Sequence, residues 1–236
     1  MSLGWQEVWA RHGDPTAIRP TLEQLLAFDG YSGYGHIEAA HWRRHVRGIR
    51  DRLGGPPGGS IFELGCGAGA FLEPLHDDGH PVEGIDYSPR LIETARRAMP
   101  EARFAVSEAA DMDGRRFDLV LANSVFLYFP DLAYAEAVLR AMARKCRHAL
   151  AVLDLPDEAV RDEYLAHKRR RVGEGYDQRY PPGLDQAFYS RQWFREQLGH
   201  AGFELHIEQQ AIPGYASNRF RFNVLAVRRD LSLIHI

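Results

Sequence analysis

Short apolar runs alternating with longer amphipathic ones constrain this chain more than any other feature. From residue 60 onward, "SIFELG" has the pattern of a strand and "AFLEPLHDDG" that of a helix ended by Gly79. "PVEGID" is a second strand, followed by the helix "SPRLIETARRAM", with Ser88 as N-cap and Pro89 at its first position. Strand "ARFAVS", a turn-rich "EAADMDGRR", strand "FDLVLANS", helix "DLAYAEAVLRAMARKC" and strand "HALAVLDL" follow. Five strands joined mostly by helices require a parallel sheet, because parallel neighbours need a long crossover, and both sheet faces must then be covered. The fold class is α/β, doubly wound.

After Pro156 the pattern changes. A basic, helix-like segment leads into "GEGYDQRYPPGLDQAFY", too rich in Gly, Pro and Tyr for regular structure, and 157–189 is expected to be a lid inserted near the main sheet. "SRQWFREQLGHAGF" is again a helix, capped by Ser190, and "ELHIEQQA" and "RFRFNVLAVRR" are close enough to pair as an antiparallel hairpin through "IPGYASN". The expected sheet therefore has seven strands, mostly parallel, within a domain spanning 60–230. Residues 1–59 carry Trp5, Trp9, Tyr31, Tyr34 and Trp42 on expected helices and end in the linker "GGPPGGS", the outline of an N-terminal helical cap on a hinge. The final "LSLIHI", 231–236, is set aside as a vector-derived tail.

A chain of 236 residues can bury a core without disulfide or metal staples. No run of about 18 apolar residues is present to cross a bilayer. Cys66 and Cys146 give no disulfide framework, and "MSLGWQEVW" lacks a signal-peptide core, so a cytoplasmic location is expected. A net charge of −3 supplies no overall field for nucleic acid.

The chemistry gathers in "IFELGCGAGAFL". A strand running into Gly65, Gly67 and Gly69 brings bare backbone N–H groups close to a ligand, and the next strand ends in Asp86, twenty-one residues beyond Gly65, where a carboxylate can accept both hydroxyl protons of a ribose. Gly65, Gly67 and Ala70 also satisfy the dinucleotide pattern, so an NAD-dependent oxidoreductase competes, as does a nucleoside-binding accessory protein without catalysis. Glu63 favours another guest. Two positions before the first glycine, its carboxylate would repel a pyrophosphate and pair with an ammonium or a sulfonium-bearing amino acid.

At "ELGCGAG" the sequence resembles the class I S-adenosylmethionine-dependent methyltransferases, whose Rossmann-like domain opens on an acidic residue and a glycine-rich loop. The resemblance extends over roughly 60–155. It implies that S-adenosylmethionine is the cofactor, with Glu63, Gly65, Cys66, Gly67 and Gly69 among the residues that bind it. "GIDYSPRLIETA" looks like the second motif, with Asp86 on the ribose, Tyr87 on the adenine face and Ser88 beside them. "VSEAAD" places Glu108 and Ala109 on the adenine edge, although many members carry Gly-Asp-Ala where this chain has Ser107, Glu108 and Ala109. "LANSVFLYF" looks like the fourth motif, lining the transfer site with Asn123, Ser124 and Phe126.

The cap of small-molecule methyltransferases commonly closes over the cofactor, which makes Tyr34 and His36 candidates for the acceptor side, together with Tyr128. His36 is the candidate base should the acceptor be a hydroxyl. Cys66 has no adjacent base or cation and is expected to act by packing. His41 and His45 have the spacing of two metal ligands but no H-E-x-x-H context, so no metal is expected. Four basic residues, Lys168 to Arg171, form either a solvated face or an anion dock for a phosphate-bearing or carrier-bound substrate. Asp154 closes the fifth strand, as a proton acceptor or as a cap before Pro156. No D/N-P-P-Y segment stands at "NSVF", and no Pro-Cys nucleophile or aspartate cluster appears, which points away from nucleic-acid and catechol-type magnesium chemistry. The expected partner is a small molecule; the accepting atom stays open among O, N and C.

Overall fold

The computed structural model describes residues 4–112, 114–181 and 183–229. The tail at 231–236 lies outside the described residues. Seven strands form one sheet: β1 (Ile61–Leu64), β2 (Val82–Asp86), β3 (Arg103–Val106), β4 (Phe117–Asn123), β5 (Cys146–Pro156), β6 (Phe203–Gln209) and β7 (Arg221–Arg228), in the order β3-β2-β1-β4-β5-β7-β6. The first five are parallel neighbours. β7 inserts antiparallel between β5 and β6, as the expected hairpin requires.

β1 is central and every residue of it is buried, which explains its nearly continuous apolar run and makes the single charge, Glu63, costly unless it has a use. Chain direction reverses its winding at β1, so the carboxyl ends of β1 and β4 part to leave a crevice, where open α/β sheets take their ligands.

On one face pack α2 (Leu22–Phe28), α3 (Ala39–Leu53), α4 (Leu72–Asp77) and α5 (Pro89–Ala98), after a short α1 (Trp5–Trp9). The other face is covered by α6 (Leu132–Lys145) and α9 (Arg191–His200), with α7 (Arg161–Val172) and α8 (Tyr176–Arg179) in the intervening segment. Local chemistry sets the ends: Thr21 and Gln24 form a capping box, and Ser88, Asp131 and Ser190 each accept a backbone N–H of the first turn.

The expected hinge at 54–60 does not detach the preceding helix from the sheet. Trp42, Val46, Ile49 and Leu53 form one buried stripe of α3 and join the core beneath the sheet, and Trp42 Nε1 donates to the Ala70 carbonyl at 2.8 Å. Burial of such side chains stabilises by about 1.5–3 kcal/mol each, so α3 belongs to the sheet's own core. Within 157–189 the structure is more regular than the composition suggests: α7 covers the basic run, and Tyr164 is buried against Phe220, with ring centroids 5.3 Å apart. Among the described residues no helix is long and apolar enough to cross a membrane.

Candidate active site

A cavity of about 300 Å³ opens at the carboxyl ends of β1, β2 and β4. Its floor is the loop after β1. Gly65 and Gly67 have φ of 65° and 54°, a region L side chains rarely adopt, and a Cβ on Gly67 would lie 2.2 Å from Asp29 Oδ1. Glu63, Cys66, Asp86, Tyr87, Glu108, Ala109, Asn123, Ser124 and Tyr128 share the wall with these two glycines.

Asp86 organises the loop. Its Oδ2 accepts the Gly67 N–H at 3.0 Å and its Oδ1 the Ser88 N–H at 2.8 Å, which fixes the carboxylate at the tip of β2 against the cavity. Burial raises its pKa to about 6, opposed by those two hydrogen bonds. Glu63 is 2% exposed, its Oε2 has no hydrogen-bond partner, and desolvation, with the nearby Asp29 and Asp86, pushes its pKa well above the usual carboxylate range. An orphaned carboxylate oxygen in a cavity wall is an unmet demand for a donor or a cation.

Several residues of the sequence-based set face elsewhere. Gly69 lies against α5, where an added Cβ would meet Met99 Cε at 2.5 Å. Ser88 is fully buried as the α5 cap, accepting the Leu91 N–H at 3.4 Å. Phe126 packs on Phe129, Tyr189 and Phe194 in the core, and the adjacent Val125 takes its place on the wall. His36 is exposed on a separate shallow depression, so the structure does not bring it to the cavity as a base. Tyr34 belongs to a 3-10 turn, Tyr31–Tyr34; its side chain lies outside the described residues. None of the described residues of 157–189 lines the cavity. The basic run is engaged within the protein: Lys168 lies 3.5 Å from the Tyr180 ring centroid, Arg169 5.3 Å from that of Tyr176, and Arg171 donates to the Gly33 carbonyl.

The cap supplies what the sequence did not reveal: Trp5, Gln6, Trp9, Asp29 and Tyr31 all reach the cavity. Trp5 and Trp9 lie 4.7 and 5.5 Å from the Tyr128 ring, centroid to centroid, and Gln6 donates to Glu108 Oε1 at 3.0 Å. Asp29 accepts the Ala68 N–H at 2.6 Å and the Ala70 N–H at 3.1 Å. Its pKa rises to about 7, from loss of water and then from Asp86. The only sequence signal for Asp29 is its place before Gly30 in a turn, which is shared by many structural aspartates.

A second polar cluster joins the cavity to the ends of β4 and β5. Asn123 Nδ2 donates to Tyr31 Oη at 2.8 Å, Tyr31 lies 2.9 Å from Ser124 Oγ, and Ser124 donates to Asp154 Oδ2 at 2.6 Å. Because Ser124 spends its one proton on the carboxylate, it must accept from Tyr31, and the chain has a single polarity. Tyr215 also donates to Asp154 Oδ2, at 3.0 Å, and Arg221 Nε lies 3.9 Å from Oδ1. Among the described residues no group of three or more His, Cys, Asp or Glu could hold a metal ion.

A family model described as a methyltransferase domain matches residues 39–208. The chain belongs to this family. The match begins at the first residue of α3, in keeping with the packing of that helix, and this methyltransferase domain resembles curated relatives of more than one kind. It is 39% identical over 137 residues to a ubiquinone biosynthesis O-methyltransferase of Methylocella silvestris, covering 54% of this chain and 51% of the relative. With a trans-aconitate 2-methyltransferase of Escherichia coli it shares 25% identity over 150 residues, 62% of this chain and 57% of the other. The chain thus spans about half the length of the curated relatives it matches. The fold is that of the magnesium protoporphyrin IX methyltransferase of Synechocystis, solved with bound S-adenosylmethionine (TM-score 0.58, 18% identity, covering 95% of this chain and 89% of that one). A putative methyltransferase of Haloferax volcanii in complex with the activator Trm112 gives a TM-score of 0.62 at 19% identity, covering 91% and 100%.

Proposed function

We propose that this methyltransferase domain binds S-adenosylmethionine in the cavity over the Gly65–Gly67 loop and methylates an oxygen of a small-molecule acceptor. The observation that carries it is Glu63, a buried residue of the cavity wall whose Oε2 has no partner, standing with Asp29 and Asp86 around a nucleoside-sized space. Three carboxylates around one space suit a guest bearing positive charge. A dinucleotide fits poorly, since Asp29 already takes the Ala68 and Ala70 N–H groups that a pyrophosphate would use.

In this assignment Glu63 and Asp29 serve the amino-acid end, Asp86 the ribose, and Tyr87, Glu108 and Ala109 the adenine. When bound, the sulfonium supplies an electrophilic methyl group for in-line displacement. The residues of this chain hold the acceptor and exclude water: Trp5, Trp9 and Tyr128 form an aromatic wall whose ring faces favour a cationic methyl. Tyr31 Oη, which accepts from Asn123 and donates towards Ser124, can accept the proton of an acceptor hydroxyl and pass one through Ser124 to Asp154. That polarity favours an oxygen acid over an acceptor with no proton to lose, as does the name of the Methylocella silvestris relative, an O-methyltransferase. The basic run of α7 offers an approach for an anionic or carrier-bound substrate. Two buried free thiols suit a reducing compartment, the cytoplasm.

A thermal-shift series with S-adenosylhomocysteine, adenosine and NADH tests the cofactor. The homocysteine nucleoside should raise the unfolding temperature most and NADH not at all; stabilisation by NADH alone would replace this function with a redox one.

A further inference from the structure

Besides Glu108, which accepts from Gln6, three carboxylates line the cavity, and they come from different parts of the fold. Glu63 belongs to the central strand and Asp86 to the tip of β2, so both are fixed by the sheet. Asp29 alone is delivered by the cap, at the C-terminal end of α2. Its position is over-determined. Both carboxylate oxygens are held by backbone N–H groups of Ala68 and Ala70, and the loop makes room for it where Gly67 lacks a Cβ. A side chain at Gly67 would overlap a carboxylate oxygen, so the loop that forms the floor is shaped to admit this residue. Beside it, Glu63 also lines the cavity, is itself 2% exposed and keeps a buried carboxylate oxygen without a partner, an independent sign that the space is built for a donor or a cation.

Like charges brought together without a counter-charge repel, and a neutral nucleoside would leave that repulsion in place. A guest carrying ammonium or sulfonium groups relieves it and repays the cost of burying Asp29. We infer that Asp29 is the specificity-determining residue through which the cap distinguishes cationic from neutral nucleosides. Asp86 differs from it in place rather than in hydrogen bonding: it is fixed at the tip of β2 by the sheet, where it suits a ribose, whereas Asp29 arrives with the cap. The inference rests on the S-adenosylmethionine reading of the cavity and adds to it the element that reads the guest's charge.

Calorimetric titration of the unsubstituted chain, Asp29→Asn and Asp29→Ser with S-adenosylmethionine and with 5′-methylthioadenosine tests it. The second ligand keeps the nucleoside and the sulfur but lacks the amino acid and the positive charge. Asp29→Ser retains a hydroxyl that can accept a loop N–H, so the effect of charge is read even if Asp29→Asn fails to fold. Both variants should lose about tenfold or more in affinity for S-adenosylmethionine and less than about threefold for 5′-methylthioadenosine. Equal losses for the two ligands would show that Asp29 only holds the cap in place, and would overturn the inference while leaving the cofactor assignment standing. Failure of the unsubstituted chain to bind S-adenosylmethionine would instead remove the cofactor assignment, and the inference with it.

Discussion

Ser124 donates its hydroxyl to Asp154 Oδ2 at 2.6 Å, and both residues hold left-handed backbone, with φ of 56° and 58°. Neither is glycine, so each conformation costs about 1–3 kcal/mol that surrounding contacts must offset. The pairing of β5 with β7 shifts register between Val152 and Leu155, around Asp154, and such irregularities re-aim side chains at site edges. Asp154→Ala removes the carboxylate that faces Arg221 in the interior and should destabilise the fold by about 3–5 kcal/mol. Ser124→Ala should cost about 1–3 kcal/mol. Urea unfolding at neutral pH measures both.

Asp86 organises the loop and, in the proposed assignment, also holds the ribose, so its loss has two readouts. Asp86→Ala should weaken S-adenosylhomocysteine binding by about 1–3 kcal/mol, as measured by calorimetry. It should also lower the unfolding temperature without ligand, since the Gly67 and Ser88 N–H groups lose their acceptor. A binding loss with unchanged stability would contradict the dual role.

Gly67→Ala combines a strained φ of 54° with a Cβ 2.2 Å from Asp29 Oδ1. Backbone strain alone should cost about 1–2 kcal/mol. Because the overlap falls on the cap's carboxylate, proteolysis at residues 10–30 should accelerate more than global unfolding does, which limited digestion followed by mass spectrometry would reveal.

The three carboxylates make stability depend on pH. Burial raises Asp86 to about 6 and Asp29 to about 7, and Glu63 well above its ordinary value, whereas in the unfolded chain all three titrate at about 4. With folded values above unfolded ones, the native state binds protons more tightly. The contribution of Asp86 and Asp29 is fully present below pH about 4 and is lost as pH rises through about 6 to 7, and Glu63 acts in the same direction. Thermal unfolding between pH 5.5 and 8 should therefore show a downward component that Asp29→Asn reduces. A cationic ligand favours the ionised carboxylates, so its affinity should change in the opposite direction, strengthening as pH rises over the same interval.

The sheet and its order of helices were legible because parallel strands and their crossovers write a two-period alternation into the chain, from "SIFELG" to "HALAVLDL". The glycine loop, Asp86 and Glu63 were legible because bare backbone and carboxylates at fixed spacing have few purely structural uses. Asp29 and Tyr31 were not, since they reach the cavity through tertiary packing of the cap, which no local spacing records. Phe126 misled for a related reason: in the turn after β4, neighbouring residues point to opposite sides, and Val125 rather than Phe126 faces the cavity. His36 lies six residues before Trp42, yet the turn closed by the Gly35–Tyr215 bridge carries it to another face.

In the proposed assignment Glu63, Asp29 and Asp86 make this cavity a seat for a positively charged nucleoside. Calorimetric titration with S-adenosylmethionine and NADH, at the same pH and ionic strength, tests it most directly. Saturable binding of S-adenosylmethionine with a Kd below about 1 mM, and no saturable heat from NADH, are the expected results. Saturation by NADH, or no binding of S-adenosylmethionine at millimolar concentration, would contradict it.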